Sequence, residues 1–219
     1  PMYRRQRQMC IRDRIKNYQY KRTVSLNKPI KFGFVRGPVW TFGDEDMKQG
    51  IEEFVKNVQL DIEELDLGKD FNDAAKAHEI IMNGSIANSL MNYYQTDKSN
   101  LHPFTVKRIE AGIPVSASDY VSAIEQAKKM EQILKQFFKK YDAIITPAAP
   151  GQAPRDLMNT GNAIFNGYWT MMGVPAISLP FLKGKDDLPI GIQFITNWKE
   201  DLKLLEICKE VLKKEKLAN

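Results

Sequence analysis

Short apolar runs rich in branched and aromatic residues alternate along this chain with longer segments whose apolar residues recur at every third or fourth position. The short runs predict buried strands, and the run Leu60–Glu63, in which apolar and acidic residues alternate, predicts a half-exposed one. The last two runs are separated by Lys183–Asp187, a length typical of a hairpin. Together the predicted strands cover residues 31–35, 60–63, 143–145, 175–181 and 188–195.

The longer segments predict amphipathic helices between these strands. One helix is expected to begin near Asp44, because acidic residues stabilise a helix N-terminus and Met47 and Ile51 start an apolar face. The longest helix is expected to run to Tyr141 with Ser118 as its N-cap. Other helices are predicted over residues 73–94, 103–112 and 200–214, with a further apolar helix that ends at Gly173. Helices that alternate with short buried strands indicate an α/β fold.

The charge is distributed unevenly along the chain. Residues 1–22 contain eight basic residues against Asp13 alone, a local charge of +7, so the remaining residues carry −2 of the net +5. No aromatic residues are interleaved with basic ones in a nucleic-acid-binding pattern, and a nucleic-acid partner is therefore not expected. No apolar run approaches the length of a membrane span, and the expected location is the cytoplasm.

The first residues form a segment of their own. Met9–Asp13 matches the translation of ATG-TGT-ATA-AGA-GAC, a transposase end sequence used in sequencing libraries. Residues 1–14 are therefore expected to be a non-native or disordered basic tail, and residues 15–219 the folded domain. A natural basic extension is the alternative, and the codons for residues 8–14 distinguish the two.

Cysteine and histidine are sparse. The only cysteines are Cys10 and Cys208, which are expected to be reduced thiols because two distant cysteines do not make a disulfide framework. The only histidines are His78 and His102, and neither has a Cys, His or carboxylate partner at ligand spacing. The sequence thus predicts no metal site and no cofactor.

The serines offer no nucleophile. The 13 glycines include no adjacent pair, so a Gly/Ser-rich catalytic loop is absent from these residues. None of the eight serines lies in a Gly-x-Ser-x-Gly elbow, which would aim backbone donors at an oxyanion. We therefore expect no catalytic residue in this chain.

The segment from Tyr141 to Ile195 carries a series of motifs in a fixed order: Thr146-Pro147, Thr160-Gly161, Phe165-Asn166, Gly173 to Pro180 and Leu188 to Gln193. This order resembles the C-terminal half of the amidase signature family. The resemblance covers roughly residues 28 to 215. It implies a partial amidase-signature fold, a mixed β-sheet flanked by α-helices.

The resemblance also implies a chemistry. Family members hydrolyse carboxylic amides with a Lys, a bridging Ser in a cis peptide and a nucleophilic Ser, which belong to an earlier Gly/Ser-rich segment. We therefore expect residues 15–219 to be the C-terminal portion of an amidase, inactive alone, whose full-length form takes a small-molecule amide. The resemblance leaves open whether the full-length protein forms a homo-oligomer. One alternative is a fragment of the catalytic subunit of a tRNA-dependent amidotransferase, and another is a noncatalytic α/β binding or interaction domain.

Five residues are predicted to line a substrate pocket. Thr146 and Pro147 end a strand at its carboxyl end, where ligands bind in open α/β sheets. Phe165, Asn166 and Trp169 follow near the start of an apolar helix, and apolar side chains with a few polar groups suit a small-molecule site. The alternative is that Phe165 and Trp169 belong to the core and Asn166 caps a helix.

Overall fold

The computed structural model describes residues 24–26, 29–156 and 158–218, with side chains described as far as Lys214. The expected tail of residues 1–14 lies outside these residues, so its boundary stays a prediction. The described residues form one five-stranded sheet in the order β2-β1-β3-β5-β4 with helices on both faces. This arrangement confirms the α/β prediction.

The sheet is mixed. Its strands are β1 (Lys31–Phe34), β2 (Asp61–Glu64), β3 (Ala143–Pro147), β4 (Ala176–Lys183) and β5 (Pro189–Ile195). Strands β2, β1 and β3 are parallel, whereas β5 runs antiparallel to both β3 and β4. The predicted hairpin is therefore present, and the carboxyl ends of β1, β2 and β3 lie at the same end of the sheet.

Six α-helices are present in the described ranges, and all were predicted. They are α1 (Glu45–Asn57), α2 (Ala74–Asp97), α3 (Pro103–Gly112), α4 (Ala117–Lys140), α5 (Ile164–Met172) and α6 (Asp201–Ala218). The predicted cap of α4 was wrong by two residues. Ser116, not Ser118, accepts a hydrogen bond from the Asp119 N–H at 3.0 Å and returns one to the Asp119 carboxylate at 2.7 Å.

The two faces of the sheet differ in composition. One face is aromatic: Phe194 contacts Phe32 and Phe181 edge to face, and Phe54 of α1 stacks on Phe181 at a centroid distance of 5.1 Å. Helices α1 and α6 cover that face. The other face is covered beside β3 by α5, against which α2 and α4 pack. Thr146 points to this second face, because Ile145 shares the aromatic face with its partner Phe194.

Within the part of the chain that is described, no helix combines the length and apolar character that a bilayer crossing requires.

Cys208 is a free buried thiol, and burial raises its pKa to about 11, so it is protonated at neutral pH.

The aromatic face should dominate stability. We expect Phe194→Ala to lower the free energy of unfolding by about 3–5 kcal/mol, because Phe194 is 0% exposed and its removal leaves a cavity between Phe32 and Phe181. Phe104→Ala is the matched control, since Phe104 is 60% exposed. It should change that free energy by less than about 0.5 kcal/mol. Urea denaturation measures both, and equal losses would contradict this account of the core.

Candidate functional site

Three polar residues lie side by side across the sheet near the carboxyl end of β3. Thr146 of β3 pairs with Gln193 of β5, and Gln193 pairs with Ser178 of β4. Because residues in register point to the same side of a sheet, all three side chains face the α5 side. We refer to Thr146, Gln193 and Ser178 as the polar row.

Helix α5 brings a fourth polar side chain to this row. Asn166 Oδ1 accepts a hydrogen bond from Gln193 Nε2 at 3.0 Å. Asn166 lies in the first turn of α5, but it does not cap the helix, since Asn162 Oδ1 accepts from the Ile164 N–H at 3.0 Å. The alternative in which Asn166 caps the helix is therefore wrong, whereas Phe165 and Trp169 do belong to the buried core as that alternative holds. With Oδ1 occupied, the exposed Asn166 amide still has N–H groups that can donate to a ligand.

The outer part of the polar row is open. Ala176, Ser178 and Pro180 alternate along β4 as exposed residues, whereas the residues between them are at least partly buried on the aromatic face. Gly191 allows the Ser178 hydroxyl to lie over β5, because a Cβ at Gly191 would come within 2.1 Å of Ser178 Oγ. Small side chains and an uncovered surface give a ligand direct access to the sheet here. We call this surface, formed by Ala176, Ser178, Pro180, Gly191 and Asn166, the open face.

The inner part of the row is buried and incompletely bonded. Thr146 Oγ1, Tyr168 Oη and Trp169 Nε1 are buried, and none has a hydrogen-bond partner of acceptable geometry among the described residues. Burial raises the pKa of Tyr168, opposed in part by the Thr146 hydroxyl and the Trp169 indole, so Tyr168 stays a neutral phenol. Gly37, at φ 76°, leaves room for the Tyr168 hydroxyl, which would lie 2.6 Å from a Cβ there.

Of the five predicted pocket residues, Thr146 faces α5, which carries Phe165, Asn166 and Trp169, whereas Pro147 pairs with Ile192 and, like Ile145, points to the aromatic face. Thr146, Pro147, Phe165 and Trp169 are buried, and Asn166 alone is exposed. The Oε1 atom of Gln193 is also buried without a partner in the described region. Nothing in the geometry tests whether these residues bind a substrate, so their role stays a prediction.

Sequence reasoning did not select Gln193, Ser178, Gly191 or Tyr168. A signal for Gln193 was present, because a glutamine in the middle of an apolar strand is unusual unless its amide is hydrogen-bonded. The register that places it between Thr146 and Ser178 depends on strand pairing and is not visible in the sequence.

Other concavities lie away from the polar row. One of about 630 Å³ lies where α2 meets the segment from α3 to α4. Another of about 330 Å³ is lined by residues of α2, α4 and α5, including His78. Burial, with the nearby charge of Arg108, lowers the pKa of His78. Among the residues with described positions, no three His, Cys, Asp or Glu side chains come together as a metal site.

A stability prediction concerns the buried Tyr168 hydroxyl. We expect Tyr168→Phe to leave the free energy of unfolding unchanged or slightly higher, because this hydroxyl makes no hydrogen bond of acceptable geometry to the described residues. Tyr120→Phe is the control, since the Tyr120 hydroxyl lies 3.0 Å from Ser85 Oγ. It should cost about 1 kcal/mol. Thermal and urea denaturation compare the two, and a larger loss for Tyr168→Phe would show that its hydroxyl is bonded.

The sequence is similar to those of known amidases and amidotransferase subunits. A family model described as Amidase matches residues 3–205. A glutamyl-tRNA(Gln) amidotransferase subunit of Aliarcobacter butzleri is 34% identical over 125 residues, which cover 52% of this chain and 28% of that protein. A fatty acid amide hydrolase of Medicago truncatula is 35% identical over 98 residues, or 39% of this chain and 16% of that protein. The chain thus spans less than a third of the length of these relatives.

Solved structures agree on the fold. A crystal structure of an amidase superposes with a TM-score of 0.74 at 17% identity, covering 84% of this chain and 45% of that one. A bacterial aryl acylamidase of the amidase signature family superposes with a TM-score of 0.62 at 15% identity, covering 86% of this chain and 45% of that one. The family match over most of the chain and this shared fold confirm the family resemblance of the motifs from Tyr141 to Ile195. The chain belongs to the amidase signature family.

Proposed function

We propose that this chain forms the substrate-facing wall of an amidase that cleaves a small carboxylic amide to an acid and ammonia or an amine. The family match over residues 3–205 is the observation that carries the proposal. The nucleophilic Ser, the bridging Ser and the Lys would come from a part of the protein outside these residues. Ser178 is not their substitute, because no hydrogen-bonded base accompanies it among the described side chains.

The geometry supports a binding role for the open face. An amide substrate presents one carbonyl acceptor and, in most cases, N–H donors, and it needs both to be matched when it leaves water. The exposed Asn166 amide supplies donors, and its orientation is set by the bond from buried Gln193. Ser178 supplies a hydroxyl on the same surface.

The other predicted pocket residues would act beneath that surface. Phe165 and Trp169 are buried on either side of Asn166 along α5, Thr146 lies below it on β3, and Pro147 ends β3 with its ring toward the aromatic face. In this proposal they fix the shape and the apolar character of the pocket wall, while Asn166 contacts the substrate. Rigid support of this kind is what a specific site requires.

A transfer reaction is the second candidate, because of the 34% identity to a glutamyl-tRNA(Gln) amidotransferase subunit. In that case the ammonia released from an amide would pass to a charged tRNA held with a partner protein. Release of free ammonia by the full-length protein alone favours hydrolysis. Ammonia release that requires both charged tRNA and a partner protein favours transfer, and neither activity would favour a noncatalytic domain.

The proposal includes a cytoplasmic enzyme that needs no cofactor, with a homo-oligomer left open. A buried free thiol such as Cys208 is typical of a reducing compartment.

We expect the 219-residue chain alone to show no amidase turnover. Loss of a complete nucleophile and base unit removes several orders of magnitude of rate, about 10⁶-fold in a well-studied serine hydrolase. Release of ammonia or amine from a panel of aliphatic and aryl amides measures this. Turnover that survives repurification and is abolished by substitution of Ser178 or another of the chain's serines would refute the prediction.

In an active full-length enzyme, we expect Asn166→Ala to raise KM or shift amide preference about tenfold, roughly 1.4 kcal/mol, because a donor to the substrate is lost. Asn92→Ala, at an exposed position of α2, is the control and should leave both unchanged. Phe165→Ala is less informative, since Phe165 is 0% exposed and its loss should destabilise the fold. Steady-state kinetics with at least two amides measure KM and amide preference for each variant. Unchanged constants for Asn166→Ala would make that residue a scaffold element.

A further inference from the structure

Three segments meet beside the carboxyl end of β3: the start of α1, the turn between β4 and β5, and residues 148–156, which follow β3. The last of these, here called the β3 exit segment, has no helix or strand of its own. It begins at the rim of the open face, because the Ala148 N–H donates to the Gly191 carbonyl at 3.2 Å. Its position therefore affects the rim on which a substrate would lie.

Asp186, in the turn between β4 and β5, holds the exit segment by its side chain. Its carboxylate accepts hydrogen bonds from Gln152 Nε2 and from the Arg155 guanidinium, which binds both carboxylate oxygens, with Nε at 3.2 Å from Oδ2. Gln152 Oε1 accepts in return from the Asp186 N–H at 3.1 Å. The Asp186 side chain is 23% exposed, whereas that of Arg155 is 79% exposed. The two hydrogen bonds between Asp186 and Gln152 are therefore better shielded from solvent than the ion pair with Arg155.

Helix α1 completes the junction. Asp46 Oδ2 accepts from the Lys185 N–H at 2.8 Å, and the Asp44 N–H donates to the Pro150 carbonyl at 2.7 Å. The turn and the exit segment are thus each attached to α1 as well as to one another.

Two glycines permit these close contacts. A Cβ at Gly184 would come within 2.4 Å of Gln152 Oε1, and a Cβ at Gly151 within 2.1 Å of Asp44 Oδ2. A side chain at Gly184 would displace the Gln152 amide that bonds to Asp186, and one at Gly151 would displace the Asp44 carboxylate. The two glycines therefore leave room for the side chains at this junction.

We propose that Asp186 is a positioning residue of the amidase site: through Gln152 and Arg155 it holds the β3 exit segment against the rim of the open face and so sets how tightly the substrate binds. An isolated exposed ion pair contributes little to stability, so stabilisation of the fold alone does not account for the contact between Arg155 and Asp186. Bonds from one carboxylate to two residues of an irregular segment instead restrict that segment's conformations. The effect on substrate rests on the proposed function, whereas the effect on the segment does not.

The first test uses the 219-residue chain and hydrogen exchange. Asp186→Ala should speed amide exchange in residues 148–156 about tenfold, with exchange in β3 and β5 unchanged. Asp186→Glu, which keeps the charge, should restore part of the protection. Asp187→Asn is the matched control in the same turn, because Asp187 pairs only with Lys183 in the described contacts and asparagine tolerates its φ of 62°. Unchanged exchange in Asp186→Ala, or an equal change in Asp187→Asn, overturns the proposal.

The second test uses an active full-length enzyme. Asp186→Ala should raise KM about tenfold with kcat changed less than about twofold, because the substrate wall is loosened while the chemistry is untouched. Faster exchange without a KM change would limit Asp186 to a structural role and overturn the positioning claim. A full-length wild-type protein that cleaves no amide would refute the proposed function and leave the exchange result standing.

Discussion

Strand β3 is buried at all five of its positions, and the rest of the structure is arranged around that burial. It pairs with β1 on one side and β5 on the other, with helices over both faces. A polar residue in such a strand loses its contacts with water and is costly unless partners accompany it. Thr146 is that residue, and Gln193 lies directly opposite it. The candidate site thus begins at the point where the core contains polar groups.

The two faces of the sheet explain why the site extends in one direction only. On the aromatic face, rings from α1, β1, β4 and β5 interlock and cover the strands with apolar side chains. On the other face, helix α5 covers β3, but β4 presents alanine, serine and proline to the outside. Small residues bury little area and need no cover for their own sake. The open face is therefore the surface of this sheet that is chemically suited to contact with a substrate.

The elements were largely predictable because the buried strands are short apolar runs and most helices have apolar residues at helical spacing in the sequence. Their ends were less so. Ser116 and Ser118 both lie near the start of α4, and the reciprocal bonds of Ser116 with Asp119 decide between them. Strand β4 continues past the predicted residue 181 to Lys183, because its pairing with β5 shifts register between Leu179 and Leu182. Periodicity within one strand carries no information on such a shift.

The site was predictable only in part, for the same reason. The residues at the end of β3 and the start of α5 were selected because a strand end and a helix start are recognisable locally. Gln193 and Ser178 also lie in motifs of the series, but they were not selected as site residues, because their relation to Thr146 is a matter of register between strands. Burial of Phe165 and Trp169 follows from the packing of α5 on the sheet, and of the five predicted pocket residues only Asn166 is left exposed.

Asn166 is held in place by the core. Its Oδ1 is bound to Gln193, a residue 3% exposed whose backbone belongs to β5 and whose neighbours are Thr146 and Ser178. A side-chain amide fixed in this way has lost its rotamer freedom during folding, so a ligand does not have to order it on binding. That is an advantage for recognition and none for nucleophilic attack, which needs a base beside the nucleophile. The described residues offer the first property and not the second, which is why our proposal gives this chain a role in shaping the substrate site rather than in the chemistry.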